Sequence, residues 1–385
     1  MADFRRSLMR FPAAVTGLAV LLLGSSAGPS MAANSGDAAP AAAPASSPDW
    51  DRRAAERYLD SREVWWQAWD RPHKDRDTLC VSCHTQASYG LARPILREAL
   101  GEAGPTGAEQ AMLASLEKRV RQWTLMQPFY SDLVSGPGKE IESHNAEAVL
   151  NAFILAGYDA RQGHLRDITR QAFDNAWALQ LKDGPDAGSW VWQNFGMAPW
   201  ESKESQYHWA ALMAVAAAKA PDAYRSDPKI AAHLSALTAY LRDHYAGQPR
   251  LNRLVALWAS AGFPEVLGAP ERAALVGELA GLQHPDGGWS LTDLGPWTRV
   301  DKSAPHIGSD GYATAVTVLV LEETGARGEP QVARGLAWLL ANQDKATGAW
   351  TSWSVNKDRD PKSDAGPFMT DAATAYAVLA LQAQR

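Results

Sequence analysis

The chain has 385 residues, 46% hydrophobic and 21% charged, with a net charge of −6, the composition of a globular rather than a disordered chain. Its 2 Cys cannot build a disulfide scaffold, and its acidic balance argues against nucleic acid as the main partner. The 16 Trp are unusually many and call for a cause in the fold.

Residues 1–33 read as a signal peptide. Arg5, Arg6 and Arg10 form a positive start, Phe11 to Leu23 is apolar, and Ser30-Met31-Ala32 offers a small-x-small cleavage site. The apolar run is shorter than a spanning helix needs. An uncleaved N-terminal anchor is the alternative, and Arg5-Arg6-Ser7-Leu8 matches a twin-arginine signal poorly. Without 1–33, three Arg and one Asp are lost and the net charge becomes −8. Residues 34–48 are an Ala/Pro/Ser linker unable to bury a core. The expected compartment is the periplasm, with no transmembrane helix in the mature chain.

Residues 49–104 read as a helical segment carrying both cysteines, in Cys80-Val81-Ser82-Cys83-His84. This C-x-x-C-H pattern is that of covalent haem c attachment. Two thiols at this spacing reach the two vinyl groups on one porphyrin edge, and the adjacent His84 becomes the proximal iron ligand. Attachment occurs outside the cytoplasm, where the leader would send the chain. A thioredoxin-like redox pair, a zinc site with His73 as third ligand and a plain disulfide compete with this reading. Nothing around the motif reads as β, and no fourth zinc ligand is near. For the sixth iron position Met112, Met126 and His144 are candidates. Met126 is favoured because Gln127-Pro128 follows it and a loop begins there.

Residues 105–385 read as all-α. Apolar helical spacing marks 106–126, 143–156, 165–181, 204–218, 229–245, 250–261, 269–283, 309–323, 331–342 and 368–383, separated by Gly/Pro/Asp loops. Self-comparison reveals a repeat. Gln283-His284-Pro285-Asp286-Gly287-Gly288-Trp289 recurs as Gln343 to Gly348-Ala349-Trp350, and earlier, with a longer insertion, as Gln180 to Gly188-Ser189-Trp190. Ala313-Thr314-Ala315-Val316 and Ala373-Thr374-Ala375-Tyr376 align at the same shift of 60. Tyr207-His208-Trp209-Ala210 and the segment from His144 to Val149 take the same place in earlier units, and a degenerate turn surrounds Trp123. In each turn the Gln can bond loose backbone at a helix end, the Gly allows positive φ, and the Trp covers the junction.

This pattern resembles the Q-x-x-x-G-x-W repeat of the terpenoid cyclase/prenyltransferase superfamily, squalene–hopene cyclases in particular. Gln283, Gly287 and Trp289 fit it fully; the other copies carry insertions. The resemblance implies one (α/α) toroid around a cavity for an isoprenoid or other apolar molecule. The acidic D-x-D-D-T-A motif that donates the proton in those cyclases aligns with Asp310-Gly311-Tyr312-Ala313-Thr314-Ala315, where Tyr312 and Ala313 replace two acids. Proton-initiated cyclisation is therefore not expected, nor is ionisation-type prenyl transfer, since no D-D-x-x-D motif is present.

Glu147, His208 and Asp310 remain as polar candidates for a cavity, against the alternative that they are helix caps or paired core groups. Asp371 is expected to cap its helix. Tyr207, Trp209, Tyr312 and Tyr376 are candidate cavity aromatics. Two functions are expected to compete: haem-dependent redox chemistry on, or binding of, an apolar molecule, and a non-catalytic electron-transfer cytochrome using the toroid as scaffold. Both require a redox partner protein. A carbohydrate enzyme ranks last, because no pair of carboxylates is evident.

Overall fold

The structure is a computed structural model and describes residues 49–383. The expected signal peptide and linker lie outside the described residues. The described residues form one compact unit, and their regular structure is helical apart from a two-residue antiparallel pair, His73–Lys74 (β1) with Thr78–Leu79 (β2), and an isolated Met197–Glu201 bridge. That pair sits just before the C-x-x-C-H motif, where no β structure was expected. The described residues form fourteen helices, two of which are single turns.

The other twelve, in chain order, are α1 Arg52–Ala68, α2 Gln86–Ala99, α3 Gly107–Arg121, α4 Lys139–Ala160, α5 Asp167–Leu179, α6 Ser205–Ala218, α7 Pro228–His244, α8 Arg250–Gly262, α9 Ala269–Gly281, α10 Gly311–Glu323, α11 Pro330–Ala341 and α12 Phe368–Gln382. The ten segments expected beyond residue 104 match α3 to α12 closely, because their apolar periods and Gly/Pro breaks are strong. The odd and even helices differ in kind. Helices α6, α10 and α12 are apolar all round and buried nearly throughout, as a helix surrounded by other helices must be. Helices α9 and α11 bury only a stripe, Leu275 and Leu279 in one and Val332, Gly335 and Leu339 in the other.

Contacts among the even helices run α2–α4–α6–α8–α10–α12 and return to α2, a closed cycle. The odd helices pack against this cycle, α1, α3 and α11 on both even neighbours and α5, α7 and α9 chiefly on the preceding one. Residues 49–104 supply α1 and α2, one of the six pairs, so the expected boundary at residue 104 falls in a loop within this cycle.

The turns that join an odd helix to the next even one repeat the same bonds. The Nε2 amides of Gln180, Gln283 and Gln343 donate to the carbonyls of Gly188, Gly287 and Gly348 at 2.8, 2.8 and 2.9 Å. The indoles of Trp190, Trp289 and Trp350 donate to Ala176, Leu279 and Leu339 in the preceding helix at 2.6, 2.8 and 2.7 Å. The three glycines have φ of 98°, 94° and 81°, and a Cβ there would strike backbone of Ala236, Arg334 and Ala54 in the next odd helix. Thr314 and Thr374, the aligned threonines, accept from the backbone N–H of Trp289 and Trp350 at 2.9 and 3.1 Å.

These turns and the loops after them gather at the end of the ring where the even helices begin. At the opposite end, the last turns of the even helices surround a bowl of about 580 Å³ whose wall mixes Leu91, Ile95, Trp258, Leu319 and Leu379 with the charged Glu98, Arg161, Lys219 and Glu323. No described helix is long and apolar enough to cross a membrane.

Candidate functional site

The loop from β2 to α2 carries Cys80, Cys83 and His84, and all three line one cavity of about 230 Å³ at the starting end of the ring. The loop is fixed locally. Cys80 N–H donates to the Pro72 carbonyl at 2.9 Å and the Trp66 indole to the Cys80 carbonyl at 3.0 Å. The Ser82 hydroxyl accepts from the backbone N–H of Gln86 at 2.9 Å and caps the start of α2. Both cysteines are free thiols, and burial raises both, Cys83 strongly. A redox-active pair needs an exposed, low-pKa thiolate, which this environment opposes. Among the described residues no three His, Cys, Asp or Glu side chains converge as a metal site. His73 instead bonds the Gln67 carbonyl at 2.8 Å.

The orientation of His84 follows from its neighbours. The Thr85 hydroxyl donates its one proton to Asp371 at 2.7 Å. Asp371 is paired with Arg62 at 2.8 Å and also accepts from the Tyr58 hydroxyl at 2.8 Å. The 2.9 Å contact between His84 Nδ1 and Thr85 Oγ1 must then have Nδ1–H as donor. This assigns the tautomer with a lone pair on Nε2, which has no protein partner among the described residues. Burial, with Arg62 and Arg359 nearby, lowers the His84 pKa and keeps the ring neutral. The arrangement is a neutral imidazole with an unused Nε2 lone pair, held by a hydroxyl–carboxylate relay, the kind of support that orients metal-bound histidines. Asp371 is therefore the anchor of this relay; Pro367 occupies the cap position of α12.

The cavity wall is aromatic on several sides. Phe368 stacks on His84 with ring centroids 3.5 Å apart, and Trp66 meets His84 edge-on at 5.5 Å. Phe129 stacks against Trp66 at 6.2 Å. Arg71, Lys357 and Arg359 also line the cavity. Glu201, for which the sequence carries no motif, is a second acid in the wall besides Glu147. Burial pushes it up to about 7 against the pull of Arg359, Arg71 and Lys139. The only signal for it was that its loop precedes an even helix and so joins the gathered turns.

The expected site residues separate. Glu147 lines this cavity, but as the partner of the fully buried Arg119, with a 2.8 Å bond from Nη2 to its Oε2. Met126 is not among the lining residues; its sulfur lies 3.9 Å from Arg119 Nη1 and Thr78 Oγ1. Met112 is in the core and His144 stacks on Trp123 at 4.0 Å. Met197 and Met369 are the methionines in the cavity wall.

Asp310 caps α10, accepting from Tyr312 and Ala313 N–H at 3.0 Å each and from Ser352 at 2.8 Å. Burial raises it to about 6 despite these bonds. Of the aromatics, Tyr207 is tied to the Leu241 carbonyl at 2.8 Å, and Tyr312 packs edge-on to Trp200 and Tyr376 at 5.6 and 5.5 Å. His208, Trp209 and Tyr376 line a separate small space inside the ring. No family model matches the chain, and no curated protein matches it.

Proposed function

We propose that the chain is an exported c-type haem protein whose helical ring, an (α/α) toroid of the terpenoid-cyclase kind, is the scaffold of an electron-transfer site. The observation that carries this is the tautomer of His84: its Nε2 lone pair is unused beside two free thiols on one cavity wall. Cys80 and Cys83 would each add S–H across a vinyl group, sulfur to the inner carbon and hydrogen to the outer one. His84 Nε2 would take the proximal position on iron. Bound there, haem c supplies a one-electron iron couple.

The residues around the motif suit that group. Trp66, Phe129 and Phe368 offer a low-dielectric wall for the macrocycle. Arg71, Lys357 and Arg359 offer cations for two propionates. Met197 and Met369, rather than Met126, stand as the sulfur donors available on the wall. The Thr85–Asp371 relay would fix the His84 ring and make it a stronger donor.

A place for an isoprenoid inside the ring has less support. The space beside His208 is about 10 Å³, whereas a lipid-sized ligand needs several hundred. A second reading, binding of an apolar molecule that also carries a polar group, rests on the far bowl of about 580 Å³, where Leu319 and Trp258 stand beside Arg161 and Lys219. Haem staining of a denaturing gel and the reduced absorption spectrum test the main reading. A covalent, six-coordinate, low-spin haem supports the electron carrier; a high-spin, ligand-accessible iron favours the oxidoreductase. Solvent extraction tests the second reading: a lipid displaced by a bulky substitution at Leu319 supports it.

A further inference from the structure

His208 is about 1% exposed, and neither ring nitrogen makes a hydrogen bond of normal geometry. Burial pushes its imidazole down to about 4, partly offset by the Asn252 amide nearby, so the ring is neutral and carries one N–H and one lone pair. It borders a cavity of about 10 Å³ shared with Trp209, Tyr376, Ser88 and Cys83. The Trp209 indole N–H is also buried without a partner. Tyr376, buried at 6% exposure, lines the same cavity. The Ser88 hydroxyl donates to the His84 carbonyl at 2.6 Å and keeps its lone pairs.

Buried polar groups left without partners cost free energy, and native interiors satisfy them with ordered water where there is room. The room here matches one water, and the polar groups around it match the two to four bonds such a water makes.

We propose that this cavity binds a single water molecule, held by His208, Trp209 and Tyr376 and joined through Ser88 to the peptide of His84. The water sits behind Cys83, on the inner side of the wall that Cys83 and Trp200 share with the main cavity. It gives His208 a role: a neutral donor–acceptor that ties the ring interior to the motif loop. The inference stands on the cavity alone and does not require the haem.

The test is a high-resolution crystal structure of the full-length chain, with water-to-methyl NMR cross-relaxation at Leu212 and Ala87. The expected result is one spherical density peak within hydrogen-bond distance of a His208 nitrogen, with a long-lived water signal. In His208→Leu the peak and the signal should vanish. Tyr376→Phe, which keeps the packing, should shorten the water's residence time by tenfold or more. An empty cavity at a resolution where other buried waters are seen, a two-atom density of a diatomic molecule, or a His208 bonded only to Asn252 overturns the proposal.

Discussion

Gln343 and Asp51, 292 residues apart, exchange two hydrogen bonds: Asp51 N–H donates to Gln343 Oε1 at 2.7 Å, and Gln343 Nε2 donates to the Asp51 carbonyl at 2.9 Å. The same amide position in the other repeats reaches the next odd helix, His233 for Gln180 at 3.1 Å and Gln331 for Gln283 at 2.8 Å. The bond that joins neighbouring units thus also joins the last unit to the first. Asp51 caps α1, accepting from Ala54 N–H at 2.8 Å, so the latch and the start of the first helix are one feature.

Gln343→Ala removes that latch and leaves the Asp51 N–H without its partner. A loss of roughly 1–3 kcal/mol is expected, measured by denaturant unfolding, together with faster proteolysis within α1. An unchanged stability would mean that the packing of α1 on α2 and α12 closes the ring unaided.

The repeat made much of this legible in the sequence. Gln, Gly and Trp at fixed spacing encode a turn whose three bonds recur with nearly constant lengths, and the aligned threonines proved to be partners of the tryptophan backbone. What the sequence hid was long-range. Nothing near Asp371 says that its carboxylate lies against Thr85, nor does anything near Asp51 announce Gln343. Met126 stands beside a loop in the sequence, but Arg119 draws its sulfur into a buried polar cluster. Glu201, Met197 and Met369 lie in loops without a motif, and only the gathering of all such loops at one end brings them to the cavity.

Glu63 is fully buried, with Gln67 and Gln86 donating to its Oε1 at 2.7 and 2.8 Å. Burial raises it to about 7 from an ordinary value near 4.5. The native state therefore holds a proton that the unfolded state releases. This contribution to stability is complete below about pH 4.5 and is lost as pH rises to about 7, roughly 3 kcal/mol in all. Glu63→Gln should equal the parent near pH 4 and exceed it near pH 8. Parallel stability curves for the two proteins would contradict this.

Glu147 and Arg119 form a buried pair, and Arg119 also donates to Thr78 Oγ1 at 2.8 Å and to the Gln127 carbonyl at 2.6 Å. Glu147→Ala strands the guanidinium and should cost about 3–5 kcal/mol. The double change Arg119→Met with Glu147→Leu should recover most of that. Equal losses in the single and double variants would assign Glu147 a role outside the pair.

Thr85→Val cuts the relay between His84 and Asp371 by removing the acceptor of His84 Nδ1–H, and leaves the imidazole itself in place. In the haem-loaded protein the His84 imidazole becomes a weaker donor, so ferric iron is less favoured and the midpoint potential should rise. Covalent attachment should persist. Potentiometric titration of parent and variant reads this directly, and an unchanged or lowered potential would contradict the assigned tautomer.

The central claim is that Cys80, Cys83 and His84 hold a covalent haem c. The most direct measurement is the pyridine haemochrome spectrum and intact mass of the chain produced with a c-type maturation system. One haem per chain is expected, retained after denaturation and acid extraction. The stain should be lost in the double variant Cys80→Ala, Cys83→Ala. A parent chain that matures with two free thiols and no added mass would contradict the account.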